Sequence, residues 1–285
     1  MLGKLIKYEI KSIYKYFLVL YAIIIVGAIT SYGTVKASSD ILSKLGFSSF
    51  ILCILAIIAL NILLLIFTIT RFNSSLLGDE GYLMFTVPTS THNIIWSKAI
   101  AMLIFNLISF IIVGLVIGGY IFFIGSVNAV QINEQTFEIA SVIFSKPSTY
   151  MVIFLCILHL LVSIVSSTMV IYAALSFGQM PMFKKHKNIS AIGFFVGFTI
   201  FSNYLISKFG LKKITSIFES YNAKYSHVFE NIDMSKDLQK LGDMVVISGQ
   251  YFSWALFVLL LAALLELIIL YLITYYILNK RLNLD

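Results

Sequence analysis

Apolar residues in this chain fall in blocks, and the blocks set its plan. Long runs occupy residues 17–32, 48–70, 99–124, 150–177, 189–206 and 251–278. A helix needs about 20 residues to cross the hydrocarbon core. The pattern therefore predicts six spans, the first of them short. Polar segments separate them: a small loop after residue 33, a connector over 71–98, a loop over 126–148, a basic turn at 184–187, and a long region over 208–250. The third helix, from Asn93 to Gly125, would be about 50 Å long at 1.5 Å per residue. It should protrude beyond the membrane as a lever.

The first sixteen residues show a different period. Lys4, Lys7, Lys11 and Lys15 interleave with Leu2, Leu5, Ile6, Ile10 and Ile13. At 100° per residue the lysines share an arc of about 80°, opposite an apolar arc of about 140°. This predicts an amphipathic surface helix ahead of the first span, with its lysines toward water and lipid phosphate. A cleaved signal peptide would place its apolar core directly after a basic start, which this segment does not.

Composition agrees with the block pattern. Of 285 residues, 60% are hydrophobic and 12% charged. A soluble domain carries about 25% charged residues. The expected fold is therefore an all-α integral membrane protein: a connecting helix over 1–16, a six-span domain over 17–278 and a tail over 279–285. The net charge of +7 fits anionic lipid headgroups. No basic-aromatic groove pattern points to nucleic acid. With six spans both termini share one side. The face holding the termini, the connector and the 184–187 turn carries eleven Lys and Arg, against nine on the other face. The positive-inside rule then puts the termini in the cytoplasm of a plasma membrane.

Candidate chemistry is sparse. No GxxxxGK[ST] loop and no HExxH helix occurs, so no nucleotide-gripping loop, catalytic residue or metal site is expected. Cys53 and Cys156 lie in apolar runs without CxxC spacing and read as small apolar residues, with a disulfide between them left open. Two ionisable groups inside spans remain, His159 and Glu266. An intramembrane carboxylate costs about 3 kcal/mol and tends to face a cavity or a partner. Both are candidates for a cavity group or an interhelical hydrogen bond. Gly193 and Gly197, four apart, suit close helix packing or a dimer seam.

The connector holds the densest local signals. Ser74 and Ser75 can cap a helix start. Gly78 and Gly81 flank Asp79-Glu80, so the backbone can turn there. Tyr82 to Val87 is apolar and ends at Pro88, and Thr89, Ser90 and Thr91 offer caps for the third helix. The run Leu77-Gly78-Asp79-Glu80-Gly81-Tyr82-Leu83-Met84-Phe85-Thr86-Val87-Pro88, then Ile95-Trp96-Ser97-Lys98, resembles the segment between spans two and three of bacterial ABC-2 type (type V) exporter permeases. The ending Tyr276-Ile277-Leu278-Asn279-Lys280-Arg281-Leu282-Asn283-Leu284 and the overall layout are similar to theirs as well.

That resemblance implies a permease that pairs with a second permease, identical or homologous, and with two soluble ABC ATPase subunits. ATP and Mg would bind those partners, so this chain would not be an enzyme by itself. Lys4, Lys7, Lys11 and Lys15 would lie on the connecting helix. Ser74, Ser75, Leu77, Gly78, Asp79, Glu80, Gly81 and Tyr82 would form the coupling segment that docks on the ATPase. The cargo would be amphipathic, a peptide or lipid-like molecule, moved outward. Two other readings fit the sequence: a stand-alone secondary transporter with Glu266 as its ion site, and a membrane immunity or sensor protein that binds a peptide through its 208–250 region.

Overall fold

The computed structural model describes residues 2–34, 40–77, 90–127, 134–183, 185–229 and 238–280. It is all-α. In chain order the helices are α1 (Leu2–Thr34), α2 (Asp40–Phe72), α3 (Thr91–Val127), α4 (Glu134–Ser145), α5 (Pro147–Gly178), α6 (Lys187–Leu205), α7 (Lys212–Phe229) and α8 (Leu238–Lys280). Six of them, α1, α2, α3, α5, α6 and α8, are long and apolar enough to cross a membrane. The chain is a multi-pass membrane protein.

Several boundaries differ from those read off the sequence. The expected surface helix and the short first span are one unbroken helix of 33 residues. No glycine or proline occurs between Gly3 and Gly27, so nothing in the local backbone ends the helix at residue 16. The expected loop over 126–148 contains α4, whose Ile139, Val142 and Ile143 are half-buried at helical spacing. Pro147 occupies the first position of α5, where its missing N–H costs nothing. The region over 208–250 is largely helical too. A π-helical turn at Ile206–Leu211 leads into α7, and the last helix begins at Leu238 rather than near Tyr251. With 43 residues, α8 is about 64 Å long. Gly178 ends α5, and the Ser90 backbone carbonyl accepts the Asn93 amide in the first turn of α3 at 2.9 Å.

The chain divides into two compact units. The first comprises residues 1–131 with 175–185 and 274–285. Its core joins α1, α2 and α3. Ile13, Phe17, Ile24 and Ala28 of α1 pack with Cys53, Leu60 and Leu64 of α2 and with Met102 and Phe105 of α3. Phe17 stacks on Phe105 with ring centroids 4.5 Å apart. Gly27 lets α2 come close: a Cβ there would lie 3.6 Å from Cys53. Polar side chains tie the same helices. The Tyr21 hydroxyl lies 2.8 Å from Ser109 Oγ and donates to the Phe105 carbonyl, and Tyr32 donates to the Val116 carbonyl. Ser31 and Tyr120 also share a hydrogen bond. Such interhelical bonds matter in lipid, where apolar burial alone gives no drive to associate. Both cysteines are free, Cys53 buried and Cys156 exposed.

The second unit comprises residues 132–174 and 186–273. α7 meets the beginning of α8 through aromatic rings, with Phe218 and Tyr221 on Tyr251. Ser148 of α5 donates to the Val245 carbonyl of α8 at 3.4 Å. Gly193 and Gly197 of α6 meet no neighbour, since a Cβ on either would find no atom within 4 Å. The close packing expected from their spacing does not occur among the described residues of this chain.

Candidate functional site

Two places carry chemistry, one in each unit. In the first unit it is the junction that holds the connector. Phe72 at the end of α2 and Leu76 in the π-helical turn Asn73–Leu77 are fully buried. Ile94 and Ile95 anchor the start of α3 in the same way. Ser74 is exposed beside them. The turn prolongs α2, so Ser74 and Ser75 continue a helix rather than cap a new one. Leu77 closes that turn. Gly78, Asp79, Glu80, Gly81 and Tyr82 lie outside the described residues.

α1 fastens both ends of the connector. Lys98 of α3 is 1% exposed and forms an ion pair with Glu9, which is 12% exposed. Arg71, in the last turn of α2, donates to the Ser12 carbonyl at 3.5 Å. Lys98 is buried under the N-terminal half of α1. A buried ammonium needs a hydrogen-bonded counter-charge, and Glu9 supplies it. Lys4, Lys7, Lys11 and Lys15 are all exposed, while Ile13 and Phe17 on the opposite face are buried. The face of α1 that carries lysines is thus separate from the face that packs. His92 stacks on Tyr275 with centroids 4.2 Å apart, which brings the chain's last helical turns to the start of α3.

Glu9 was not among the residues the sequence singled out. It is the sole acid in the first 39 residues and interrupts a lysine-rich helix. That irregularity was the available signal.

The second site is a cavity of about 390 Å³ lined by α5, α6 and α8. α5 contributes His159, Ser163, Ser166 and Ser167. α6 contributes Thr199, Ser202 and Asn203, and α8 contributes Glu266. The two in-span ionisable residues read from the sequence therefore share one cavity. Each helix brings one face, with spacings of 4, 7 and 8 residues from His159 and 3 and 4 from Thr199. On α8, Ala262 and Ala263 share the lining with Glu266 and leave it room.

The cavity lies well inside α5, runs along the C-terminal half of α6 to its end, and meets α8 in its second half. His159 is 12 residues into α5 and Thr199 is 12 into α6, each about 18 Å from the helix start. Glu266 is 14 residues before the end of α8, about 21 Å. The polar groups divide by what they have left to offer. Ser167 donates to the Ile164 carbonyl at 2.8 Å and Thr199 to the Phe195 carbonyl at 2.7 Å. Asn203 Nδ2 donates to the Thr199 carbonyl at 2.8 Å. These bonds consume donor protons and leave oxygen lone pairs. Ser166 is 5% exposed, and its Oγ has no partner, nor has His159 Nδ1. Among the described residues no lysine or arginine lines the cavity.

Thr199, Ser202 and Asn203 are the residues that sequence reasoning passed over. Their signal was a polar stripe at helical period inside an apolar span. No three His, Cys, Asp or Glu residues among those described come together to hold a metal ion. Comparison with protein-family models, curated proteins and solved structures finds no match for the chain.

Proposed function

We propose that the chain is the membrane permease subunit of an ATP-driven exporter of ABC-2 type. Separate ATPase subunits would grip the connector over 71–98 from the cytoplasm, where the lysine-rich N-terminus also lies. The observation that carries this reading is the double fastening of the connector. A push on it reaches α1 through Arg71 and the Ser12 carbonyl, and α1 is locked to α3 through Glu9 and Lys98. The handle, the surface helix and the long third helix would move together. A motor needs such a rigid link, because an effector shifts a conformational equilibrium only by its differential affinity for the two states. The sequence Leu77-Gly78-Asp79-Glu80-Gly81-Tyr82, with its likeness to ABC-2 permeases, supports the same role.

The test is co-purification. The detergent-solubilised protein should bring down a soluble ATPase, and Asp79→Lys with Glu80→Lys should abolish that association and transport-linked hydrolysis while insertion persists. An intact, monodisperse protein that never carries an ATPase would overturn the reading.

One observation favours a second reading, a secondary transporter that works alone. Glu266 shares a cavity among three apolar helices with His159 and a set of hydroxyls. Intramembrane ionisable groups in such settings mark ion pathways. Ion-gradient-driven flux in proteoliposomes that contain this chain and no ATPase would select it.

A further inference from the structure

We propose that the cavity between α5, α6 and α8 is a binding site for the primary-ammonium head of an amphiphilic cation. The ligand class follows from the chemistry left free in the lining. Backbone carbonyls already take the protons of Ser167 and Thr199 and one amide proton of Asn203. The side chains present acceptors in the hydroxyl lone pairs, the Asn203 carbonyl oxygen and the Glu266 carboxyl, and the Ser163, Ser166 and Ser202 hydroxyls can turn either to accept or to donate. Ser166 Oγ, nine-tenths buried and unpartnered, lines the same space, as does His159 Nδ1. A primary ammonium carries three donors and no acceptor, so its needs complement the cavity.

Charge points the same way. Glu266 has no ion-pair partner among the described residues, and the His159 imidazole is the one basic side chain among the described lining residues. A cation supplies the counter-charge that a carboxylate in a span requires. Size argues against a single directly ligated divalent cation. A directly ligated divalent cation draws its oxygens in to about 2.3–2.6 Å. The cavity's 390 Å³ corresponds to about thirteen water molecules at ~30 Å³ each. An ammonium with the first carbons of an alkyl chain fits that space. Val170, Phe195 and Leu259 offer the chain an apolar wall, and the Phe195 ring adds a face for a cation. Ser163, Phe195 and Asn203 are exposed, so the cavity opens at the surface and the tail has a way out. The assignment rests on the cavity alone and holds whether or not the chain works with an ATPase.

The test is native mass spectrometry of the purified full-length chain with dodecylamine, dodecyltrimethylammonium and dodecanol as probes. The three share a tail and differ in the head: three donors with charge, charge without donors, and neither charge nor a second donor. One dodecylamine should be retained, at least tenfold more tightly than either analogue. Glu266→Gln and, separately, Asn203→Leu should each weaken retention about tenfold or more, with the melting temperature reporting that the variants are folded. Co-purified phosphatidylethanolamine that dodecylamine displaces would place the ammonium's source in the bilayer and support the same chemistry. Equal retention of all three probes, or unchanged retention in a folded Glu266→Gln variant, would overturn the proposal. Binding by the purified chain needs no ATPase, so its outcome is independent of the co-purification test.

Discussion

The two units of this protein solve opposite problems with the same material. In the first, 28% of the most apolar window of α1 and of α3 is buried inside the chain. In the second, that share falls to 17% for α5, 11% for α8 and 6% for α6. The first unit has an aromatic core and hydroxyls paired across helices. The second has outward-facing leucines, isoleucines and phenylalanines, a cavity, and polar atoms without partners. Hydropathy does not explain the contrast, since both sets of helices are strongly apolar. Lipid is as apolar as leucine, so association rests on close packing and interhelical bonds. The first unit has the shapes for it: Gly27 against Cys53, and Tyr32 over Gly119. The second keeps its polar stripes directed at a shared space. One unit closes tightly on itself and the other leaves a polar-lined cavity between its helices.

The comparison breaks most sharply at Lys98. Lys98→Met leaves Glu9 buried without a counter-charge and should cost about 3–5 kcal/mol. The double variant Glu9→Gln with Lys98→Met should recover much of that loss, and a thermodynamic cycle of unfolding in detergent measures the coupling. Additive losses would mean that the pair is not a clamp. Next in size, Phe17→Ala removes the ring stacked on Phe105 and opens a void in the first core. About 3 kcal/mol is expected, near the low end for such truncations because lipid lessens the transfer contribution.

A smaller effect is expected at Tyr21→Phe, which removes the bonds to Ser109 and the Phe105 carbonyl. Interhelical hydrogen bonds in membranes average about 0.6 kcal/mol, so the melting temperature should fall only slightly. The smallest changes should come from the second unit. Gly193→Leu should leave the isolated chain's unfolding unchanged, because a side chain there enters open space. Loss of self-association in that variant, read by sedimentation, would show that the bare face of α6 is covered by another copy. Ser202→Ala should likewise leave stability within about 0.5 kcal/mol.

The candidate site was legible in pieces. Glu266 and His159 stand out in the sequence because ionisable groups are rare in spans. Thr199, Ser202 and Asn203 do not, because a serine or threonine can satisfy itself on its own helix's carbonyls and is tolerated anywhere in a span. Glu9 hid for a similar reason: one acid in a lysine-rich helix reads as a solvated charge. The change from amphipathic to apolar composition near residue 16 does not break α1, because glycine, proline or a cap is what ends a helix and none stands there.

The sequence by itself determined the number of apolar helices and where their apolar centres lie, the separation of lysines from apolar residues along α1, and the helix ends marked by Ser90 and Gly178. These are local matters, fixed by side-chain period and backbone chemistry within a turn or two. Tertiary structure alone decided which helices touch. It paired Glu9 with Lys98 across 89 residues and brought stripes from three spans to one cavity. Every face of an apolar helix is equally at home in lipid. The choice of packing face therefore rests on shape and on a few polar partners, which become visible only when the helices are together.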